Sequence, residues 1–324
     1  MSLLKKHLGF IVVASIYIGI WALYSRLPFF WDGTMLGSKL ATWFYTQSSF
    51  SLFPPNEINP GHPPFFGLYL AGWWKLFGRN LLVSHLAMLP FVLLILWRMF
   101  QLTSFFFEDK WQSIAILAMA SCGPLLGHFY QISPDVVLVA LYLSAVISAL
   151  HQKSTEMAIW LLFCATISTR GILVAESLSG GFWLFTWYHQ KRVFNPFLLA
   201  CFPPAVFGAI YYVLHYQAMG WAIYNPEGEW APLYQNVDLQ GFVHNIAAFC
   251  LRLIDFGMVA FWGVLLLLTF RLGAKAFKTD KVLQLLLLLV IMPILFIAIT
   301  QLPKANSVGC LLYTSPSPRD RTRS

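Results

Sequence analysis

Charge is scarce in this chain. Of its 324 residues, only 10% are Asp, Glu, Lys or Arg, where an ordinary soluble domain carries roughly 25%. So few ionic groups cannot cover a water-facing surface, and 58% of the residues are hydrophobic. Segments of ~10 residues with strict polar–apolar alternation are also missing, which excludes a transmembrane barrel. Cysteine is sparse. Cys122, Cys164, Cys201 and Cys250 lie in or beside apolar blocks and are most simply packing residues, with no disulfide framework implied. No His, Cys or Asp cluster has metal-ligand spacing. There is no internal repeat, so the inverted-repeat plan of many transporters has no support.

What is present is a series of apolar blocks of membrane length. The expected fold is therefore an all-α polytopic membrane protein. Spans are expected at 8–25, 81–103, 112–129, 136–151, 156–169, 172–188, 194–213, 246–268 and 282–300. Lys5 and Lys6 precede the first span and no small-x-small cleavage site follows it. An uncleaved span with a cytoplasmic N-terminus is expected, in preference to a signal peptide. Alternating the spans puts eleven of the eighteen basic residues before position 310 in short cytoplasmic loops, as the positive-inside rule asks. The formal charge of +8 thus sets topology, and no nucleic-acid partner is expected.

The C-terminal stretch from Cys310 to Asp320 reads as one frame of a transposase-type sequencing adapter. Residues 310–324 are accordingly set apart as an artefact, with 1–309 as the domain proper and a C-terminal part missing. Without that tail the formal charge falls to +6.

The topology leaves residues 26–80 outside the cytoplasm. Gly33–Tyr45 mixes polar and apolar residues as an interfacial helix does. Pro54, Pro55, Pro60, Pro63 and Pro64 then break regular structure. The aromatic stretch 65–77 is too short for a span and is expected to lie in the outer interface. A second long outer loop, 214–245, carries Glu227, Glu229 and Asp238.

Several ionisable residues then gather at the outer ends of spans: Asp32, His62, Asp135, Arg170 and Lys304. Such residues are functional candidates. Each also has a plainer explanation. Asp32 can cap the helix that follows it, and His62 can be a turn residue before two prolines. Asp135 can be an N-terminal cap, and Arg170 can snorkel to the interface. Lys304 lies beside the adapter-like tail. Glu227 and Glu229 read as solvated loop charges. Arg252 and Asp255, three apart, read as a structural pair. His85 and His128 read as packing residues.

In order along the chain, Trp31-Asp32, His62-Pro63-Pro64, Trp74-Lys75-Leu76-Phe77-Gly78, Pro134-Asp135 and Thr169-Arg170-Gly171 resemble the motifs of the lipid-linked glycosyltransferases of the GT-C fold. The family 39 and family 83 types are meant, which include protein O-mannosyltransferases and the aminoarabinose transferase of lipid A. The resemblance covers roughly residues 1–215. It implies a GT-C-type helical bundle with interfacial helices in the first extracytoplasmic loop. Many members carry Asp-Glu where this chain has Asp32-Gly33, and Lys where it has Arg170.

The resemblance implies a sugar donor on a polyprenyl phosphate and a glycan, lipid or protein acceptor. The site would lie on the periplasmic face of a bacterial-type inner membrane. Asp32 would take the acceptor proton, while Arg170, Lys304 and His62 would meet the leaving phosphate. Asp135 would orient a cation or touch a sugar hydroxyl. One-step displacement inverts the anomeric centre. No cofactor is expected, with room left for a divalent cation. The rival class is a transporter or flippase of a lipid or lipid-linked sugar, marked by mid-span charges and broken helices. A non-catalytic scaffold is a third.

Overall fold

The computed structural model describes residues 3–30, 33–48, 51–227 and 238–255. Asp32, Glu229, Lys304, the adapter-like tail and the expected span 282–300 lie outside the described residues. So do the rest of the expected span 246–268 and the side chains of Arg252 and Asp255.

Every regular element among the described residues is helical. The order begins with α1 (Leu3–Tyr24), a π-helical turn at Gly33–Lys39, α2 (Leu40–Thr46) and α3 (Phe65–Phe77). It continues with α4 (Leu81–Thr103), α5 (Asp109–Ala120), α6 (Gly123–Phe129), α7 (Pro134–Leu150), α8 (Ser154–Ile167) and α9 (Thr169–Gln190). The short α10 (Pro196–Leu199), α11 (Phe202–Met219) and α12 (Leu239–Asp255) complete it.

Three of these are long and apolar enough to cross a membrane: His7–Tyr24, Leu81–Thr103 and the combined stretch Pro196–Met219. Their outer faces bear this out chemically. Leu8, Ile11, Val12 and Ile16 of α1 are exposed, as are Phe202, Val206, Ile210 and Val213 of α11. A water-soluble surface does not leave such contiguous apolar faces bare. Helices α7 and α8 are apolar but shorter.

Three expected spans have clearly different bounds, among them 246–268, whose helix already starts at Leu239 within the expected loop 214–245. The block 112–129 is not one helix: it breaks between α5 and α6 at Ser121 and Cys122. Pro124 sits in the first turn of α6, where a missing N–H costs nothing but from which a preceding helix cannot run on. The block 194–213 runs instead to Met219 and ends at Gly220, whose left-handed backbone (φ 79°) caps α11. His215 is thereby helical rather than part of an outer loop.

The core is built on α7. Its buried face is rich in small residues: Ala140, Ser144, Ala145, Ser148 and Ala149. Small side chains let neighbouring backbones approach closely in an apolar medium, and α4 and α8 pack against this helix. The Ser144 and Ser148 hydroxyls donate to carbonyls one turn back, at 2.8 and 2.9 Å, which satisfies both donors within the helix. Helix α8 packs in turn on α9 and α11.

Short links make α7, α8 and α9 antiparallel neighbours, so the starts of α7 and α9 lie at one end of the bundle with the start of α4. At the opposite end, Arg98 of α4 donates from Nε to Ser144 Oγ at 3.0 Å and lies over the Trp160 ring. Helix α3 packs on α2 and α4. Its buried Trp74 donates from Nε1 to Ser84 Oγ at 2.8 Å, and Tyr69 donates from Oη to the Ala87 carbonyl at 2.7 Å.

Candidate functional site

Two helix starts frame the site. Ser133 Oγ accepts from the Asp135 backbone N–H at 3.2 Å and so caps α7. Ser168 Oγ accepts from the Gly171 N–H at 3.2 Å and caps α9. The cap of α7 is therefore Ser133, not Asp135 as the plainer sequence explanation has it. Asp135 is left in the first turn with its carboxylate free to reach across, and Arg170 Nη1 lies 3.5 Å from its Oδ1.

Arg170 breaks a local rule. A cation in the first turn of a helix opposes the macrodipole, typically by ~0.3–1 kcal/mol. Asp135 offsets that cost. The result is a guanidinium held by a carboxylate beside two helix N-termini, whose backbone N–H groups suit an anion. Both side chains are about a third or more exposed, at 42% and 32%, so the pair is open to an incoming group.

His62 reaches the same end from a loop 107 residues earlier. Its Nδ1 lies 2.6 Å from Thr169 Oγ1, beside Arg170 in the chain. Thr169 Oγ1 also lies 2.7 Å from the Tyr212 Oη of α11. Tyr211 donates from its Oη to the His62 carbonyl at 2.8 Å. Pro63 and Pro64 follow, both buried; their fixed φ values hold His62 in an extended approach to α3.

The chain on either side of Asp32 is also in place here. The Gly33 N–H donates to the Phe30 carbonyl at 2.9 Å. Gly33 is packed so closely on the Ile132 carbonyl that any Cβ would collide with it. Ile132 directly precedes the Ser133-Pro134-Asp135 cap. His62, Asp135 and Arg170 are thus brought to one end, next to the segment that carries Asp32.

A neighbouring set was not among the sequence candidates. His215, fully buried in α11, has its Nε2 3.0 Å from Asn59 Nδ2 and its Nδ1 2.8 Å from the Trp221 carbonyl. Asn59 Oδ1 accepts from the Gly61 N–H at 2.9 Å, and Trp221 donates from Nε1 to Asn56 Oδ1 at 3.0 Å. Gly61 itself needs a left-handed backbone (φ 73°), and a Cβ there would strike the Ile223 carbonyl and the Trp221 ring. These contacts seat residues 221–223 on the loop that precedes α3. The available sequence signal was the spacing of Tyr211 and His215, one turn apart on an apolar helix.

Glu176 is a second omission. It lies two turns into α9, and its Oε1 is buried without a hydrogen-bond partner. His85 is buried, with its Nε2 2.9 Å from the Leu27 carbonyl. That contact ties α4 to the segment leading to Asp32. In the turn after α6, burial and the nearby Tyr17 and Tyr24 push the Tyr130 phenol up to about 12, which keeps it neutral. Glu227 is exposed, as a solvated loop charge would be. Among the described residues no group of three or more His, Cys, Asp or Glu could hold a metal ion.

No family model matches the chain, and no curated protein or solved structure matches it either.

Proposed function

We propose that this chain is a membrane glycosyltransferase of the GT-C kind. It moves a sugar from a polyprenyl-phosphate donor to an acceptor hydroxyl of a glycan, lipid or protein, on the extracytoplasmic side of a bacterial-type inner membrane. One arrangement carries the proposal. His62 reaches Thr169, the chain neighbour of Arg170; Arg170 pairs with Asp135; and Gly33, which follows Asp32, packs on Ile132 close before Asp135.

The roles follow from charge. The acceptor hydroxyl gives its proton to the Asp32 carboxylate as its oxygen attacks the anomeric carbon from the face opposite the leaving group. The bond from that carbon to the phosphate oxygen breaks, and its electron pair leaves with the polyprenyl phosphate. The configuration inverts. Arg170, joined by His62 and Lys304, stabilises the charge that develops on the phosphate. Asp135 holds the Arg170 fork in place. The bare apolar faces of α1 and α11 give the chain the lipid contact that a polyprenyl donor demands.

The deciding experiment is turnover of polyprenyl-phosphate sugars by an Asp32→Asn variant. Loss of about 10²- to 10⁴-fold with donor binding retained is expected of a missing general base. Undiminished turnover removes Asp32 from that role. A wild-type chain that neither binds nor consumes any such donor overturns the enzyme assignment.

The flippase reading has two observations in its favour: the break between α5 and α6, and the unpartnered Glu176 carboxyl within α9. A lipid-linked sugar that crosses vesicle membranes without losing its sugar would select it.

A further inference from the structure

We infer that Thr169 and Tyr212 are positioning residues for His62, forming a hydroxyl relay that keeps its Nδ1 hydrogen-bonded in both protonation states. The inference rests on the proposed phosphate-facing role of His62 and deepens it.

The geometry is a chain of two short contacts. Tyr212 Oη lies 2.7 Å from Thr169 Oγ1, which lies 2.6 Å from His62 Nδ1. The three groups come from the first outer loop, the start of α9 and the outer end of α11. Their meeting is a tertiary event, not a local turn. The backbone of His62 is held as well, because the adjacent Tyr211 donates to its carbonyl at 2.8 Å. Helix α11 therefore grips His62 at two points through consecutive tyrosines.

A hydroxyl both donates and accepts, so the relay has two self-consistent orientations. In one, Tyr212 donates to Thr169 and Thr169 donates to Nδ1, which fixes the imidazole as the Nε2–H tautomer. In the other, Nδ1–H donates to Thr169 and Thr169 donates to Tyr212. The second orientation serves equally for an imidazolium. Reversal of two hydroxyl protons thus lets His62 gain or lose a proton with its Nδ1 hydrogen-bonded to Thr169 in either state. A group that meets a phosphate whose charge rises during the reaction needs that property. Removing the Thr169 hydroxyl leaves Nδ1 facing a methyl group in either state.

The test uses the full chain in lipid nanodiscs with ¹⁵N-labelled histidine, His62 being assigned by its absence from a His62→Ala sample. Thr169→Val should weaken proton binding by His62 about tenfold, read from its ¹⁵N signals across a pH series, because a hydrogen bond from the imidazolium outweighs one to the neutral ring. It should lower kcat for a polyprenyl-phosphate sugar on the order of 100-fold, with KM for the donor little changed. Thr169→Ser, which keeps the hydroxyl, should recover the wild-type spectrum, and Tyr212→Phe should give a smaller change of the same kind.

An unchanged His62 spectrum in Thr169→Val overturns the relay. If that variant does not fold, an unchanged spectrum in Tyr212→Phe overturns it equally. A changed spectrum with full turnover shows that the relay does not serve the reaction, and removes the positioning role while Asp32 chemistry stands. A changed spectrum in a protein that never consumes a lipid-linked sugar keeps the relay and points the failure at the glycosyltransferase assignment.

Discussion

Arg170 Nη1 lies 3.5 Å from Asp135 Oδ1, and this ion pair joins the first turns of α9 and α7. With side chains 42% and 32% exposed, it contributes little to stability, typically under ~1 kcal/mol. Function and structure therefore separate cleanly at this position. Arg170→Ala should leave thermal stability within about 1 kcal/mol of wild type, yet lower turnover roughly 10²- to 10³-fold, as loss of a charge-stabilising donor does. Thermal melts beside a donor-turnover assay check both halves. A large stability loss with proportionate activity loss would make the pair structural.

His215 should behave in the opposite way. It is fully buried and joins Asn59 to the Trp221 carbonyl. His215→Phe keeps most of the ring volume but takes the partner from the Trp221 carbonyl, at about 1–3 kcal/mol, and leaves Asn59 Nδ2 only its 3.3 Å contact with the Pro54 carbonyl. Hydrogen exchange should then quicken in residues 53–62 and 220–225 together, with α7 and α8 unaffected. Exchange that quickens in only one of the two segments would refute the latch.

Gly61 and Gly72 make a contrasting pair. Ala at Gly61 must adopt φ near 73° and would meet the Ile223 carbonyl; about 1–3 kcal/mol of destabilisation is expected. Around Gly72 in α3 nothing lies within 4 Å of an added Cβ. Gly72→Ala should be neutral or stabilising by up to ~1 kcal/mol, because Ala favours the helix. Chemical denaturation of the two variants in matched detergent gives the comparison.

Ser84→Ala tests how α3 is held. Ser84 Oγ accepts from the Trp74 indole N–H at 2.8 Å and donates to the Asn80 carbonyl at 2.9 Å. With the hydroxyl gone, a buried indole N–H has no acceptor, which costs roughly 1–3 kcal/mol. The Trp74 indole proton resonance should move, and stability should fall by that amount.

Much was legible before folding because it depends on one stretch of chain at a time. The apolar length of α1 and α4, the shortness of α3 and the proline breaks around His62 follow from local composition. A membrane environment follows from the scarcity of charge. The break at Ser121 and Cys122 was less visible, since apolar content runs straight through it and only Pro124 marks the new start. The reach of α11 to Met219 was hidden because polar and aromatic residues from Tyr211 to Gln217 resemble loop composition.

The candidate site divides along the same line. The sequence alone determined which residues are candidates for chemistry: Asp32, His62, Asp135 and Arg170 are ionisable groups in an apolar chain, and their types limit what they can do. It could not determine what each would touch. Ser133, not Asp135, caps α7; Thr169 and Tyr212 hold His62; His215 and Gly61 seat a second loop on the first. The Ser133 cap is local, but the hydrogen bonds of Thr169 with Tyr212 and His62, and of His215 with Asn59, join residues 43 to 156 positions apart. They exist only where the packing of α7, α8, α9 and α11 brings distant segments within hydrogen-bond reach, because a hydrogen bond acts over about 3 Å and carries no trace in the local pattern of either partner.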